Sequence, residues 1–141
     1  LEDVTNGPFN KDLENKEGWF VRLEESKGEK VTGVSVVAFG VVYFTSFAPS
    51  SQSGEKTARV YGLNYKNGNA ILNLNPANDT EGVKIDLSDR SKVIGTGVPS
   101  GTVITALRGR LVAYTGMNGG IYNTPMRRHS TIIPVWWRQV F

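Results

Sequence analysis

Val31-Thr32-Gly33-Val34-Ser35-Val36-Val37-Ala38-Phe39-Gly40-Val41-Val42-Tyr43-Phe44-Thr45-Ser46-Phe47-Ala48 is the stretch whose reading decides the fold. No residue from Val31 to Gly54 is charged, and an apolar run of this length lies near the lower limit of a membrane-spanning helix. Its composition argues against that. Thr32, Gly33, Ser35, Gly40, Thr45 and Ser46 interrupt the run, and strand-favouring Val, Phe and Tyr fill most of the rest. Gly40 divides it into residues 31–39 and 41–47, two pieces of strand length, so the stretch predicts a buried hairpin and no membrane span.

Downstream, a Ser-rich polar loop (49–56) leads to an alternating strand over 57–65. Lys66-Asn67-Gly68-Asn69 is a turn centred on Asn-Gly, and 70–74 is the returning strand. A polar stretch follows, broken only by Val83-Lys84-Ile85-Asp86-Leu87. The pattern then restarts with strands expected at 101–107, 111–115, 121–124 and 131–140, separated by Arg108-Gly109-Arg110 and Asn118-Gly119-Gly120. Upstream, residues 1–17 show no period and read as an arm or connecting segment, whereas Gly18-Trp19-Phe20-Val21-Arg22-Leu23 alternates as a strand before a charged turn at 24–30. Nowhere do apolar residues recur at helical spacing over three turns, so the fold class is all-β.

Two parts of the chain repeat one another. The segment Ser35 to Thr45 and the segment Thr102 to Thr115 each read strand, glycine turn, strand ending in aromatic-Thr, and each is followed by a strand containing Tyr (Tyr61, Tyr122) and by a fourth strand. Antiparallel four-stranded meanders in series predict about two blades of a β-propeller. The expected organisation is an outer strand of a preceding blade at 18–23, a first blade at 31–74, a polar insertion at 75–96 and a second blade at 97–141. A propeller closes with about four blades or more. The reading is therefore that the chain is a segment of a larger propeller or pairs with a partner chain; the alternative is a single β-sandwich.

Composition narrows the chemistry. A chain of 141 residues is one domain at most. With no Cys there is no disulfide, thiolate nucleophile or Cys-based zinc site, and one His leaves little for triads or metals. The formal charge of +3 comes from a small excess with both signs spread along the chain, so no nucleic-acid partner is expected. The opening Leu1-Glu2-Asp3, with no initiator Met or apolar leader, reads as a processed product or a fragment.

From Gly18 to Phe141 the chain resembles the C-terminal part of the β-propeller region of PilC/PilY-type tip proteins of bacterial type IV pili. The resemblance is carried by Gly18-Trp19-Phe20-Val21-Arg22-Leu23 followed by Gly28-Glu29-Lys30-Val31, and by Val41-Val42-Tyr43-Phe44-Thr45-Ser46-Phe47-Ala48-Pro49. Arg59-Val60-Tyr61-Gly62-Leu63-Asn64-Tyr65-Lys66-Asn67-Gly68, Ile94-Gly95-Thr96-Gly97-Val98-Pro99-Ser100, Gly119-Gly120-Ile121 and the closing Trp137-Arg138-Gln139 complete it. It implies a propeller, export and a pilus-associated role at the cell surface. The loop after Ala48-Pro49, which commonly carries Cys in that family, has none here, so no disulfide is implied there. The acidic Ca²⁺ loop of some members has no match, and Arg108-Gly109 is followed by Arg110, not Asp, so neither Ca²⁺ control nor integrin binding carries over.

The remaining constellations read as structure. Asn78, Asp79, Glu81, Asp86 and Asp89 do not fall at the alternate positions a Ca²⁺ loop needs and read as a solvated insertion; Asp86 and Asp89 are a carboxylate pair by count only. Arg127-Arg128-His129, with Arg108, Arg110 and Arg138, offers too few cations for a nucleic-acid face, although Tyr122, Trp136 and Trp137 could stack bases. His129 with Ser130 evokes a catalytic pair, but adjacent residues in a strand point to opposite faces and no acid is placed to orient the imidazole, so the pair reads as a surface loop. Gly95-Thr96-Gly97 and Gly119-Gly120 precede no helix and are turns, not phosphate loops.

Alternation puts Trp136 and Trp137 on opposite sides of the final strand. One should pack between blades while the other meets a partner, which makes Trp136, Trp137 and Arg138 the expected interface. No catalytic residue, cofactor or metal ligand is expected. The expectation is a non-enzymatic, exported pilus tip or biogenesis segment acting in adhesion and pilus assembly, with partners in the rest of the propeller, minor pilins and a host or surface receptor. The alternatives are part of a quinone-dependent or sugar-processing propeller enzyme, or a stand-alone sandwich that binds partners.

Overall fold

Phe39 and Gly40 take positive φ, 50° and 81°, as a type I′ connection requires, and fold the apolar run back on itself with Ala38 opposite Val41. The computed structural model describes residues 1–7, 18–49, 56–107 and 110–126. Within them the strands are β1 (Glu2–Asp3), β2 (Trp19–Phe20), β3 (Lys30–Val31), β4 (Val36–Ala38), β5 (Val41–Pro49), β6 (Lys56–Asn64), β7 (Ser91–Thr96), β8 (Thr102–Leu107), β9 (Arg110–Met117) and β10 (Gly120–Thr124). Only two 3-10 turns, Pro76–Asn78 and Leu87–Arg90, add helical backbone among the described residues. The protein is all-β, and its two larger sheets are antiparallel.

In the first sheet β5 and β6 pair from Val41–Asn64 to Pro49–Lys56, and β7 adds to the far side of β6. β3 and β4 both lie on the near side of β5, opposite Phe47/Ser46 and Tyr43/Val42/Val41, so they form one edge strand interrupted between residues 32 and 35. The order is thus β3/β4-β5-β6-β7, a meander. The second sheet runs β8-β9-β10, again a meander, with Leu107 opposite Arg110 and Met117 opposite Gly120.

One face of the first sheet makes the core. Val41 and Tyr43 are fully buried with Leu72 and Leu74, and Val36, Ala38, Ile71, Ile104 and Met126 pack around them. Each fully buried aliphatic side chain there contributes about 1.5–3 kcal/mol. Ile104 brings β8 against β4 and β5, so the first strands of the two sheets are neighbours.

Three expectations need correction. Residues 70–74 form no strand: beyond an isolated bridge between Ala70 and Leu63, Leu72 and Leu74 serve as plugs over Gly62, where a Cβ would come within 2.9 Å of the Leu72 side chain. Their alternation reports packing on a sheet face, not a ladder. The strand that follows β6 in the sheet is β7, whose Ser91, Lys92 and Thr96 made it read as polar insertion; an edge strand needs little apolar content. Third, residues 18–23 are not a full outer strand. Only Trp19 and Phe20 pair, and they pair in parallel with Glu2 and Asp3 of the segment read as an arm. The expected strand at 131–140 lies outside the described residues. Among those described, no helix is long and apolar enough to cross a membrane.

Candidate functional site

The expected interface of Trp136, Trp137 and Arg138 lies outside the described residues, as do Arg127, Arg128, His129 and Ser130 and positions 50–55 of the Ser-rich loop. Two arrangements can be built from the residues upward: a polar cluster on one face of the first sheet, and the contact between the sheets with the uncovered face beyond it.

The polar cluster sits on the face opposite the core. Pairing puts Phe44 beside Tyr61 and Ser46 beside Arg59, so these four side chains share that face. Phe44 and Tyr61 stack with ring centroids 4.6 Å apart and planes inclined by 5°. Glu29, in the turn between β2 and β3, reaches onto this face. Its Oε1 accepts hydrogen bonds from the Ser46 hydroxyl and from Tyr61 Oη, the latter at 2.7 Å, while its Oε2 is buried with no hydrogen-bond partner. Arg59 completes the cluster, with Nη1 3.3 Å from Ser91 Oγ and 3.7 Å from Glu25 Oε2. Burial, followed by the hydrogen bond to Glu29 and its charge, holds the Tyr61 phenol far above its ordinary range. A carboxylate held by two hydroxyl donors pins the 24–30 turn to the sheet. Sequence reading missed this cluster because Glu29 meets Ser46 and Tyr61 at separations of 17 and 32 residues, with no periodic signal.

The acidic residues of the 75–90 segment hold that segment together. Asp86 caps the 3-10 turn Leu87–Arg90 by accepting from the Ser88 amide, and the Asp89 carboxylate in return accepts from the Asp86 amide, a complete capping box. The bonds from Ser88 hold the Asp86 carboxyl below its usual range. Buried Asp89 also accepts from the Asn75 amide at 2.9 Å, and Asp79 accepts both bonds from the Asn73 amide group. Among the described residues no group of three or more His, Cys, Asp or Glu is placed to hold a metal ion. Arg90 turns the other way and donates to the carbonyls of Val4, Thr5 and Gly7 at 2.5, 2.9 and 3.3 Å, which clamps the N-terminal segment.

Between the sheets, Thr45 Oγ1 donates to the Ser100 carbonyl at 2.8 Å, and within the second sheet the paired Thr102 and Thr115 share a buried hydroxyl contact of 3.1 Å. Ala113, Thr115 and Thr124 are buried on the side of β8–β10 that carries Ile104. The opposite side is exposed: Val103 retains 63% of its surface, Leu107 51% and Ile121 74%. Comparisons with protein-family models, curated proteins and solved structures give no match.

Proposed function

We propose that the chain is a pair of consecutive blades from the β-propeller of an exported type IV pilus tip or biogenesis protein, acting without catalysis in adhesion and pilus assembly. The observation that carries the propeller half is the arrangement of the sheets. Two antiparallel meanders follow one another along the chain, and the first strand of the second lies against the first strands of the first, as neighbouring blades do around an axis. The pilus half rests on the resemblance from Gly18 to Phe141. A rigid frame of this kind works by presentation: its loops, the 75–90 segment among them, meet minor pilins or a surface receptor while the sheets hold them in place. Deletion of the coding gene from its source cell tests the role. Loss of surface pili and of adhesion, both restored by complementation, is the expected result; unchanged piliation and adhesion overturn it.

A stand-alone β-sandwich that binds partners is the second reading, favoured by the core that the two sheets share through Val41, Tyr43 and Ile104. It requires the 141-residue chain to be a stable monomer in solution, which size-exclusion chromatography reads directly.

A further inference from the structure

We infer that the β9–β10 turn carries a site of self-modification: Asn118 converts to aspartate and isoaspartate through attack by the Gly119 backbone nitrogen, and the conversion loosens the turn from β7. The site is independent of the propeller and pilus readings.

The chemistry needs an asparagine whose side-chain carbonyl carbon can meet the next residue's backbone nitrogen, and glycine at that next position leaves the approach open. Gly119 N gives its proton to solvent and bonds to Asn118 Cγ, the Cγ–Nδ2 bond breaks, and the side-chain nitrogen leaves as ammonia. Water then opens the cyclic imide. Cleavage between the ring nitrogen and Cγ gives aspartate; cleavage between that nitrogen and the main-chain carbonyl carbon gives isoaspartate, whose main chain runs through the former side chain. Water is consumed and ammonia released, with no oxidant, reductant or cofactor.

Asn-Gly occurs at 6–7, 67–68 and 118–119, and the fold holds these pairs differently. At 67–68 both reacting groups are engaged. The Gly68 amide donates to the Asn64 carbonyl at 2.8 Å, and Asn67 Oδ1 accepts from the Asn69 amide at 3.1 Å. Gly68 is also buried under Trp19, so closely that a Cβ there would stand 2.6 Å from the indole. At 6–7 the Arg90 guanidinium donates to the carbonyls of Thr5 and Gly7, at 2.9 and 3.3 Å, which fixes the main chain on both sides of the bond that must rotate.

Neither restraint is present at 118–119. Both residues are exposed, and a Cβ on Gly119 would meet nothing within 4 Å. Among the described residues none hydrogen-bonds the Asn118 side chain or the Gly119 amide. Gly119 takes a φ of 87° but Asn118 is not left-handed, so this turn follows the strand twist less closely than the one at Phe39-Gly40, where both central residues are.

The turn sits where the second sheet touches β7. A Cβ on Gly95 would stand 2.6 Å from Met117 Cε, and one on Gly97 would stand 3.3 Å from Asn118 Cβ, so both side chains lie against that edge strand. Isoaspartate adds a carbon to the main chain between Met117 and Gly120, which pair directly across the turn. The added length breaks that pair and lifts Met117 from Gly95.

The test incubates the native protein and the same protein unfolded in guanidinium chloride at one mildly alkaline pH. The three Asn-Gly peptides are then followed by mass spectrometry, with isoaspartyl methyltransferase labelling to separate the two products. In the folded protein position 118 should convert at least about tenfold faster than positions 6 and 67, where reaction waits for the holding contacts to open. In denaturant the three rates should draw together. Asn118→Gln, whose longer side chain closes the ring poorly, should remove the signal at 118 alone. Hydrogen exchange in the converted folded protein should accelerate at the Met117 and Gly120 amides and stay unchanged across β5 and β6. Conversion at 6 or 67 as fast as at 118 in the folded protein overturns the site, as does the same ranking persisting in denaturant, which would assign it to local sequence. Conversion without faster exchange at Met117 and Gly120 overturns the loosening.

Discussion

Gly33 and Gly101 meet backbone to backbone where the two sheets cross: a Cβ placed on Gly33 would stand 2.5 Å from the Gly101 Cα and 2.8 Å from its nitrogen. Gly33 lies in the interruption between β3 and β4, and Gly101 immediately precedes β8. The same Cβ would come within 2.9 Å of Thr45 Oγ1, whose bond to the Ser100 carbonyl ties the sheets together. Close approach at this point is what lets the first strands of the two sheets pack as neighbours.

Gly33→Ala should therefore separate the sheets or distort the Thr45 bond. Overpacking against backbone, which cannot move aside as a flexible side chain would, costs about 1–3 kcal/mol. Urea denaturation should show that loss for Gly33→Ala. For Gly120→Ala, where a Cβ meets nothing within 4 Å, the change should stay within about 0.5 kcal/mol.

Glu29 is the second point of dependence. Glu29→Ala leaves the Ser46 and Tyr61 hydroxyls without their acceptor in a buried setting, at about 1–3 kcal/mol for each unsatisfied group. Glu29→Gln keeps an acceptor oxygen and should fall between wild type and Glu29→Ala in the same unfolding measurement. Equal stability of Glu29→Ala and wild type would mean that the 24–30 turn is not held by this contact.

Tyr61 contributes to the alkaline limb. Its folded-state pKa is raised, first by burial and then by Glu29, so below the ordinary tyrosine value of 10.0 both folded and unfolded states keep the proton. As pH rises above that value the unfolded chain ionises while folded Tyr61 stays neutral, and stability falls. Unfolding free energy measured across this range should decline less steeply for Tyr61→Phe than for wild type.

Arg90 governs the N-terminal segment. Its guanidinium holds three carbonyls of residues 4–7, although burial lowers its pKa and so opposes its charge. Arg90→Met keeps most of the stem and removes all three donors. Hydrogen exchange should then accelerate at the Glu2 and Val4 amides, which bond to the Gly18 and Phe20 carbonyls, while the amides shared by β5 and β6 keep their protection.

Much of this architecture was legible where local chemistry and final structure agree. The glycine turn at Gly40 and the alternation on either side foretold the β4–β5 hairpin, and Asn118-Gly119 foretold the connection from β9 to β10. Reading failed where tertiary packing imitates or hides a strand. Leu72 and Leu74 alternate because both plug one sheet face, and β7 is polar because it is an edge. The parallel pairing of Glu2–Asp3 with Trp19–Phe20 has no local signature, since its partners are distant and each run is two residues long. The Glu29 cluster was hidden for the same reason, as one carboxylate in a charged turn looks solvated until the sheet brings Ser46 and Tyr61 to it.

The central claim is that the two consecutive meanders are part of a larger propeller. A structure of the native polypeptide that contains residues 1–141 tests it most directly. The account predicts further meanders around a common axis, with Val103, Leu107 and Ile121 buried beneath one of them. A closed two-sheet sandwich with those three side chains in solvent would contradict it.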